Sequence, residues 1–284
     1  MYTVTFSRSR VEIPARWAEF AAGDRRFIAV AGELGRFDRG ETDFARLRIG
    51  LAVALLGIRP RRFRDGGEAD ENIYRVAETI EFPFRTEELP DGRTAVSLNV
   101  ILDRNLLPAL RGVDGYRFSV QSDGQVDCTL TADTYIDCLS LMQAYGDAHQ
   151  MRTLGSLAEL LYPGISAKRP TDDELFAVYF NFRGILSWLR ALPTFALIFS
   201  STAAPERVAA ANPVGLAAGI FSLAKAGYGD IDTIRNLPLL SYLSLLVQQT
   251  IDSVKALEAA KLKPTEIADR LHLPTELILP ITAQ

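Results

Sequence analysis

The side chains of this chain that could bind a metal ion are few and widely separated. His149 and His272 are its only histidines, so no two histidines lie three or four positions apart, the spacing that brings two ligands onto one face of a helix. Cys128 and Cys138 stand ten residues apart, which matches neither a zinc-binding nor a redox-active spacing. Each cysteine is therefore predicted to be a buried free thiol, and no metal site is predicted.

Motifs for nucleotide binding and hydrolysis are also missing from the sequence. Gly32-Glu33-Leu34-Gly35 lacks the third glycine and the preceding strand of a dinucleotide site, and the chain has no Walker-type loop and no Gly-x-Ser-x-Gly elbow. The acidic pairs Glu87-Glu88 and Asp172-Asp173 lie at predicted turns or helix starts, where acids are common. We predict no catalytic residue, no cofactor and no small-molecule substrate. An enzyme with carboxylate chemistry stays an alternative, because carboxylates distant in sequence can meet in the fold.

Charge is divided unevenly along the chain, whose formal net charge is −4. Residues 1–64 contain 13 arginines, no lysine and 7 acids, whereas residues 65–162 contain 7 arginines and 17 acids. The first part therefore carries +6 and the second −10, an asymmetry that bears on association rather than on fold. Either the two parts face each other within one molecule, or copies contact head to tail or dock on an acidic partner.

The densest basic run is Arg59-Pro60-Arg61-Arg62-Phe63-Arg64. Its four guanidinium groups favour planar, bidentate pairing, and they could also contact phosphates. A short run between Gly57 and Gly66-Gly67 is also typical of a solvated turn. We name Arg59, Arg61, Arg62 and Arg64 as candidate partner-binding residues, with a protein partner favoured over nucleic acid.

Hydrophobic spacing and turn signals predict an α+β fold that is predominantly α-helical. Residues 1–6 alternate like a strand, residues 25–34 and 41–56 fit helices, and residues 68–80 fit a helix or a strand. Turn signals at Pro90-Asp91-Gly92 and Ser122-Asp123-Gly124 predict hairpins. The predicted strands that accompany these turns cover residues 95–102, 115–120 and 125–130. One small antiparallel sheet in the N-terminal half is expected, and the first strand can join it.

Beyond Thr131 the sequence predicts helices almost throughout. Thr131 is placed to cap a helix that Gly146 ends, and Thr171 with Glu174 forms a capping box for a central helix. We therefore predict an α+β domain over residues 1–130 and an all-helical domain over residues 131–284, which can also form one continuous unit.

A helix near residues 237–261 carries apolar side chains at heptad spacing, including Leu243, Val247 and Val254. The repeat is shorter than coiled coils normally show, so packing inside the domain is favoured. A dimer or partner seam is the alternative, in which case these three residues bind the partner.

Residues 265–278 resemble the helix-turn-helix unit of DNA-binding proteins, with Ala268 in the first helix and Ile278 packed ten residues later. His272 stands where glycine is usual, and the second helix has no lysine or arginine for phosphate contacts. A small helical hairpin packed on the preceding helix is favoured. DNA association through this hairpin is the alternative function.

The N-terminus lacks the apolar stretch of a signal peptide, and a cytoplasmic location is expected. Residues 191–205 and 208–224 are free of charge, but each falls short of the roughly 20 apolar residues that a membrane-spanning helix needs. A buried helical pair, and no membrane insertion, is predicted.

Several local patterns resemble phage and prophage proteins of the tail and virion morphogenesis region, including tail-assembly chaperones. The patterns are Ile-Pro-x-x-Trp-x-Glu-Phe at 13–20, Arg-Leu-Arg at 46–48, Leu-Thr-Ala-Asp-Thr-Tyr at 130–135 and Leu-Ala-Glu-Leu-Leu-Tyr at 157–162. The resemblance implies action by contact without catalytic residues, tail or virion proteins as partners, and a bacterial cytoplasm. Together with the charge division it predicts a non-enzymatic interaction or assembly protein, with protein partners or self-association.

Overall fold

The computed structural model describes residues 1–6, 9–57, 68–89, 91–200 and 216–283. Over these residues the chain forms twelve α-helices and four two-stranded antiparallel sheets, so the predicted α+β, mostly helical fold is confirmed. The backbone groups into two compact units, each built from two stretches of chain. Unit 1 comprises residues 1–125 and 144–187, and unit 2 comprises residues 126–143 and 188–284. The division into domains 1–130 and 131–284 stays a prediction that truncation can test.

The strands form separate hairpins instead of the one small sheet expected. β1 (Tyr2–Phe6) pairs with β2 (Ser9–Ile13), so the first strand finds its partner in the next segment of chain. β3 (Phe84–Glu88) pairs with β4 (Thr94–Leu98) around the predicted turn, in which Gly92 has a φ of +78°. The shorter strands are β5 (Ala109–Leu110), β6 (Val113–Asp114), β7 (Phe118–Val120) and β8 (Val126–Cys128).

The turn between β7 and β8 is also where the sequence predicts it. The amide of Gln121 donates to the carbonyl of Gln125 at 2.7 Å, and Gly124 has a φ of +84°. In contrast, the strand predicted over residues 95–102 ends at Leu98, since the amide of Leu102 donates at 3.0 Å to a helix carbonyl, that of Gly184.

Unit 1 contains four complete helices and most of a fifth. They are α1 (Arg25–Asp38), α2 (Phe44–Leu56), α3 (Glu68–Thr79), α5 (Met151–Leu161) and α6 (Asp172–Ala191). Asp24 and Asp43 cap α1 and α2, because each carboxylate accepts from an amide of the first turn. Gly57 ends α2 in the left-handed region, as predicted.

The segment that fits a helix or a strand in sequence is helical. The buried side chains of α3 and of the residue just after it are Ile73, Val76, Ala77 and Ile80, at spacings of three and four. This spacing places them on one helix face, and burial of that face against the rest of unit 1 favours the helix.

α1 runs four residues beyond its predicted end and contains two glycines. A β-carbon at Gly32 would clash with the carboxylate of Asp173, and one at Gly35 would clash with the ring of Phe176. Both obstacles belong to α6, so the Gly-x-x-Gly pattern serves helix packing. The missing side chains let α1 and α6 approach closely.

Unit 2 contains the first part of α4 (Ala132–Ala148) and six later helices. These are α7 (Ala196–Phe199), α8 (Leu216–Lys225), α9 (Ile231–Arg235), α10 (Leu239–Ala259), α11 (Pro264–Leu271) and α12 (Thr275–Thr282). Thr131 caps α4 as predicted, since its Oγ1 accepts from the amide of Thr134 at 3.2 Å. The predicted stop at Gly146 is wrong, because α4 continues to Ala148 and the left-handed residue is His149. The last turn stays helical because Tyr145 is buried against Tyr179.

The last three helices share a small apolar core. Its buried members are Val254 of α10, Ile267 and Ala268 of α11, Leu273 of the turn and Ile278 of α12. The predicted hairpin packed on the preceding helix is therefore confirmed.

No single helix among the described residues is long and apolar enough to cross a membrane. By length and composition, α6 passes only together with residues 193–199, across a bend of 79°. Of the two charge-free segments, residues 201–215 lie outside the described residues.

Candidate interaction site

Of the residues named from the sequence as partner-binding, the structure describes only the three on α10. Arg59, Arg61, Arg62 and Arg64 lie outside the described residues. Leu243 and Val254 of α10 have no exposed surface, and Val247 is partly exposed. Leu243 and Val254 therefore pack inside unit 2, as the favoured alternative for the heptad spacing expects.

The two histidines occupy helix ends. His149 follows α4 and His272 follows α11, both with positive φ, and both side chains are exposed. The ring of His149 packs edge-on against Tyr145, with centroids 5.3 Å apart. Each histidine therefore stands where the backbone turns out of its helix.

The cysteines and acids form no metal site over the part of the chain described. No group of three or more His, Cys, Asp or Glu side chains there could hold a metal ion. Cys128 and Cys138 are both free thiols, and burial raises the pKa of each above its ordinary value. The predicted free thiols are confirmed, with Cys138 buried and Cys128 partly buried.

The backbone of α11 and α12 matches a helix-turn-helix unit, but the charge of α12 does not. α11 and α12 are joined by residues 272–274, and His272 has a φ of +55° at the position where such units usually carry glycine. The exposed side chains of α12 include Glu276, Leu279 and Pro280, and the helix has no lysine or arginine. This surface offers no cation with which to contact a phosphate.

One opening in unit 1 is a cleft of about 610 Å³, here called the α1–α6 cleft, between the start of α1, the β5–β6 turn and the start of α6. A buried polar network holds in place the segment that contributes Leu107 to its lining. Asn181 accepts from the amide of Leu106 at 2.9 Å and donates to Asn105 at 2.7 Å and to the hydroxyl of Tyr116 at 2.9 Å. The hydroxyl of Tyr162 donates to the carbonyl of Leu107 at 2.6 Å. These bonds fix the irregular segment 103–116 against α6.

The two carboxylates of the α1–α6 cleft already have cationic partners. Asp173 pairs with Arg36 at 2.9 Å, and Glu174 pairs with Arg111 at 2.8 Å. Burial raises the pKa of Glu174, but hydrogen bonds from Arg111 and Thr171 outweigh it and hold the pKa below its ordinary value. Glu174 is therefore kept ionised and helps to cap α6. Glu174 therefore has a structural role. A carboxylic acid that donates a proton at neutral pH would need a raised pKa instead.

Another opening in unit 1 is a groove of about 380 Å³ with both apolar and polar lining, here called the hairpin groove. Its lining residues are Phe44, Arg48, Ile80, Glu81, Phe84, Thr86 and Val96. They come from the start of α2, the end of α3 and both strands of the β3–β4 hairpin. Phe44 meets Phe84 edge-on with centroids 4.8 Å apart, so two aromatic rings form part of its wall.

Arg48 holds the hairpin groove together from α2. Its guanidinium donates to the carbonyls of Ala77 and Glu78 at 2.9 and 2.5 Å, and it lies 5.8 Å from the ring centre of Phe44. Those carbonyls belong to the last turn of α3, whose partial negative charge favours a cation. The positive charge of Arg48 therefore interacts with backbone carbonyls at the end of α3.

The rim of the hairpin groove is acidic. Arg85 pairs with Glu87 at 2.9 Å and Arg93 with Asp91 at 2.6 Å. No ion pair between described residues involves Glu81, which lines the groove, or Glu78 and Glu88, which lie in the adjoining segments. All three side chains are exposed. The groove therefore combines aromatic and aliphatic side chains with the exposed carboxylate of Glu81.

An exposed aromatic side chain lies beside Glu78. Tyr74 of α3 is 57% exposed and precedes Glu78 by one helical turn, so the two side chains are neighbours on the surface. Sequence reasoning did not name this site. The acidic excess of residues 65–162 was the available signal, but the apolar walls come from segments up to 52 residues apart and converge only in the fold.

Comparison of the chain with models of protein families, with curated proteins and with solved structures found no match. In the α1–α6 cleft both carboxylates pair with arginines, whereas Glu81 of the hairpin groove makes no ion pair with another described residue.

Proposed function

We propose that this chain is a non-enzymatic interaction or assembly protein that works by surface contact. The observation that supports this most is the hairpin groove, where exposed Glu81 stands among aromatic and aliphatic lining residues and exposed Glu78 and Glu88 lie in the adjoining segments of chain. Such a combination suits a protein segment with an apolar side chain flanked by cations.

The resemblance to phage tail and virion morphogenesis proteins directs the choice of partner. Tail or virion proteins encoded beside this chain are the first binding partners to test, in a bacterial cytoplasm. Arginine-rich segments of those proteins are the chemistry that the groove would accept.

A binding experiment with purified neighbour-encoded proteins tests the proposal. Titration calorimetry would compare the unaltered chain with a variant carrying Glu78→Arg, Glu81→Arg and Glu88→Arg. We expect a complex with the unaltered chain and at least about tenfold weaker binding by the variant, because each position exchanges attraction for repulsion.

A matched control carries the same three-charge change on unit 2. Asp137→Arg, Glu258→Arg and Glu276→Arg alter exposed side chains away from the groove residues in sequence and should leave the affinity unchanged. Equal loss of binding in both variants, or no binding by the unaltered chain to any neighbour-encoded protein, would contradict the proposal.

A second candidate is DNA association through α11 and α12. It is favoured by one observation, the three-residue turn in which His272 adopts the left-handed conformation. A gel-shift titration at low salt tests it, with Glu276→Lys as a gain-of-charge variant. Because phosphate contacts supply most non-specific affinity, this candidate fails if neither protein shifts a duplex.

A further inference from the structure

The α1–α6 cleft combines one cation with an apolar interior. Its charged lining residues are Arg25, Arg111, Asp173 and Glu174. Both carboxylates pair with arginines, and one of those arginines, Arg111, is itself a lining residue. Arg25, in contrast, makes no ion pair with another described residue. Over the described part of the chain, the cleft therefore presents one positive charge without a counter-charge.

The apolar side chains of the cleft begin next to that cation. On α1, Ile28 and Ala29 follow Arg25 by three and four positions, so all three lie on one face of the helix. Leu107 and Leu110 also line the cleft and are buried, whereas Arg25 is exposed. The positive charge therefore stands at the mouth of the cleft, and the apolar surface extends inward from it.

The walls of the cleft are joined by hydrogen bonds and by an ion pair. The amide of Gly23 donates to the carbonyl of Leu106 at 2.8 Å, which joins the start of α1 to the segment that carries Leu107. The guanidinium of Arg111 donates to both carboxylate oxygens of Glu174, at 2.9 and 2.8 Å, which joins the β5–β6 turn to α6. Because these contacts fix the walls, the cleft is formed before any ligand enters, and preformed sites bind at a lower entropic cost.

We propose that the α1–α6 cleft binds a small carboxylate with an aliphatic body. The carboxylate pairs with the guanidinium of Arg25 at the mouth, and the aliphatic part packs against Leu107 and Leu110. The cleft volume of about 610 Å³ lies within the roughly 300–1,000 Å³ of small-molecule sites. The hairpin groove shares no lining residue with this cleft, so the carboxylate and a protein partner can be tested separately.

Octanoate is the probe for this site, because it joins one carboxylate to an unbranched aliphatic chain. Isothermal titration calorimetry at low salt measures its affinity for the full chain, with octylamine as the cationic ligand of the same chain length. We expect a dissociation constant for octanoate below about 1 mM. Octylamine should bind at least about tenfold more weakly, because it places a cation beside Arg25.

Two variants test the two parts of the site. Arg25→Gln removes the charge and should weaken octanoate binding at least about tenfold, since hydrogen bonds between charged groups are strong. Ala109→Trp places an indole in the cleft from an exposed position of β5, and it should abolish binding although Arg25 is intact.

Arg152→Gln is the matched control. Arg152 is also exposed in the first turn of a helix, α5, and makes no ion pair with another described residue, but it does not line the cleft. Its loss should leave the affinity for octanoate unchanged. Because a cation in the first helical turn opposes the helix dipole, neither arginine variant should melt below the unaltered protein in circular dichroism.

Four results would overturn the proposal. They are no measurable binding of octanoate, equal affinities for octanoate and octylamine, an equal loss of affinity in the Arg25→Gln and Arg152→Gln variants, and unchanged binding by a folded Ala109→Trp variant. The last result would place octanoate outside the cleft.

Discussion

At the scale of single residues, the residues that stand out in sequence mainly serve helix packing and the termination of helices. Gly32 and Gly35 mark the closest approach of two helices, and His149 and His272 take left-handed backbone positions. The most demanding polar residue is Asn181, which is fully buried and satisfies three partners. Nothing in its sequence context distinguishes it from an ordinary helix-surface asparagine.

Substitution of Gly35 tests the close approach of α1 and α6. Gly35→Ala places a methyl group against the ring of Phe176 and should lower the free energy of unfolding by about 1–3 kcal/mol. Gly155→Ala is the matched control, because this glycine is also helical but has open space around it. The control should stabilise the protein by about 0.5–1 kcal/mol. Urea titrations that gave the two variants the same sign would refute the packing argument.

Substitution of Asn181 tests the buried network that joins α6 to residues 105–116. Asn181→Ala leaves the amide of Leu106, Asn105 and the hydroxyl of Tyr116 short of a partner. We expect a loss of at least about 2 kcal/mol in unfolding free energy, since buried polar groups without partners are costly. Asn236→Ala removes an exposed asparagine and should change the melting temperature little. A small effect at both positions would mean that the network contributes little to stability.

At the scale of elements, helix ends were easier to predict than strand partners. Caps and left-handed residues are local, and the structure confirms Thr131 as the cap of α4, the capping box of Thr171 and Glu174, and Gly57 as the end of α2. The expected single sheet became four hairpins, because pairing depends on which segments lie side by side. The stop at Gly146 failed because buried contacts of the preceding tyrosine outweigh the backbone cost of a helical glycine.

The first turn of α6 should make stability depend on pH. The pKa of Glu174 lies below its ordinary value of 4.5, so its ionised form stabilises the fold above pH 4.5. This contribution is lost as the pH falls through the lowered pKa. Glu174→Gln should therefore melt below the unaltered protein at pH 7, and the difference should shrink as the pH drops below 4.5.

Exposed Glu258→Gln serves as the control for that comparison, because its carboxylate makes no ion pair in the described part of α10. Its melting temperature should follow the unaltered protein at every pH. A Glu174→Gln difference that stayed constant from pH 7 to pH 3 would show that the carboxylate charge contributes nothing.

At the scale of the whole molecule, neither compact unit is formed from one continuous stretch of sequence. The stretch 144–187 belongs with the N-terminal residues, and it supplies Tyr162, Phe176 and Asn181 to the core of unit 1. A boundary near Leu130 would separate these side chains from the segments that they contact.

Truncation tests this arrangement. We expect residues 1–130 expressed alone to lack cooperative unfolding, because the fragment loses the helix that carries Phe176 and Asn181. Residues 1–187, which contain all of unit 1, are the matched control and should retain a cooperative transition. Unfolding of residues 1–130 in urea can be measured by circular dichroism. A cooperative transition would support a domain boundary near Leu130.

The sequence by itself determined the helical class, the principal helix ends and the turns, because these depend on residues a few positions apart. It also revealed the division of charge between residues 1–64 and 65–162. Only the tertiary structure decided that Gly32 and Gly35 are packing contacts, that Leu243 and Val254 are buried, and that Phe44, Ile80, Phe84 and Val96 enclose a groove. These features join segments far apart in the chain, so they depend on how helices and hairpins pack and not on any local pattern.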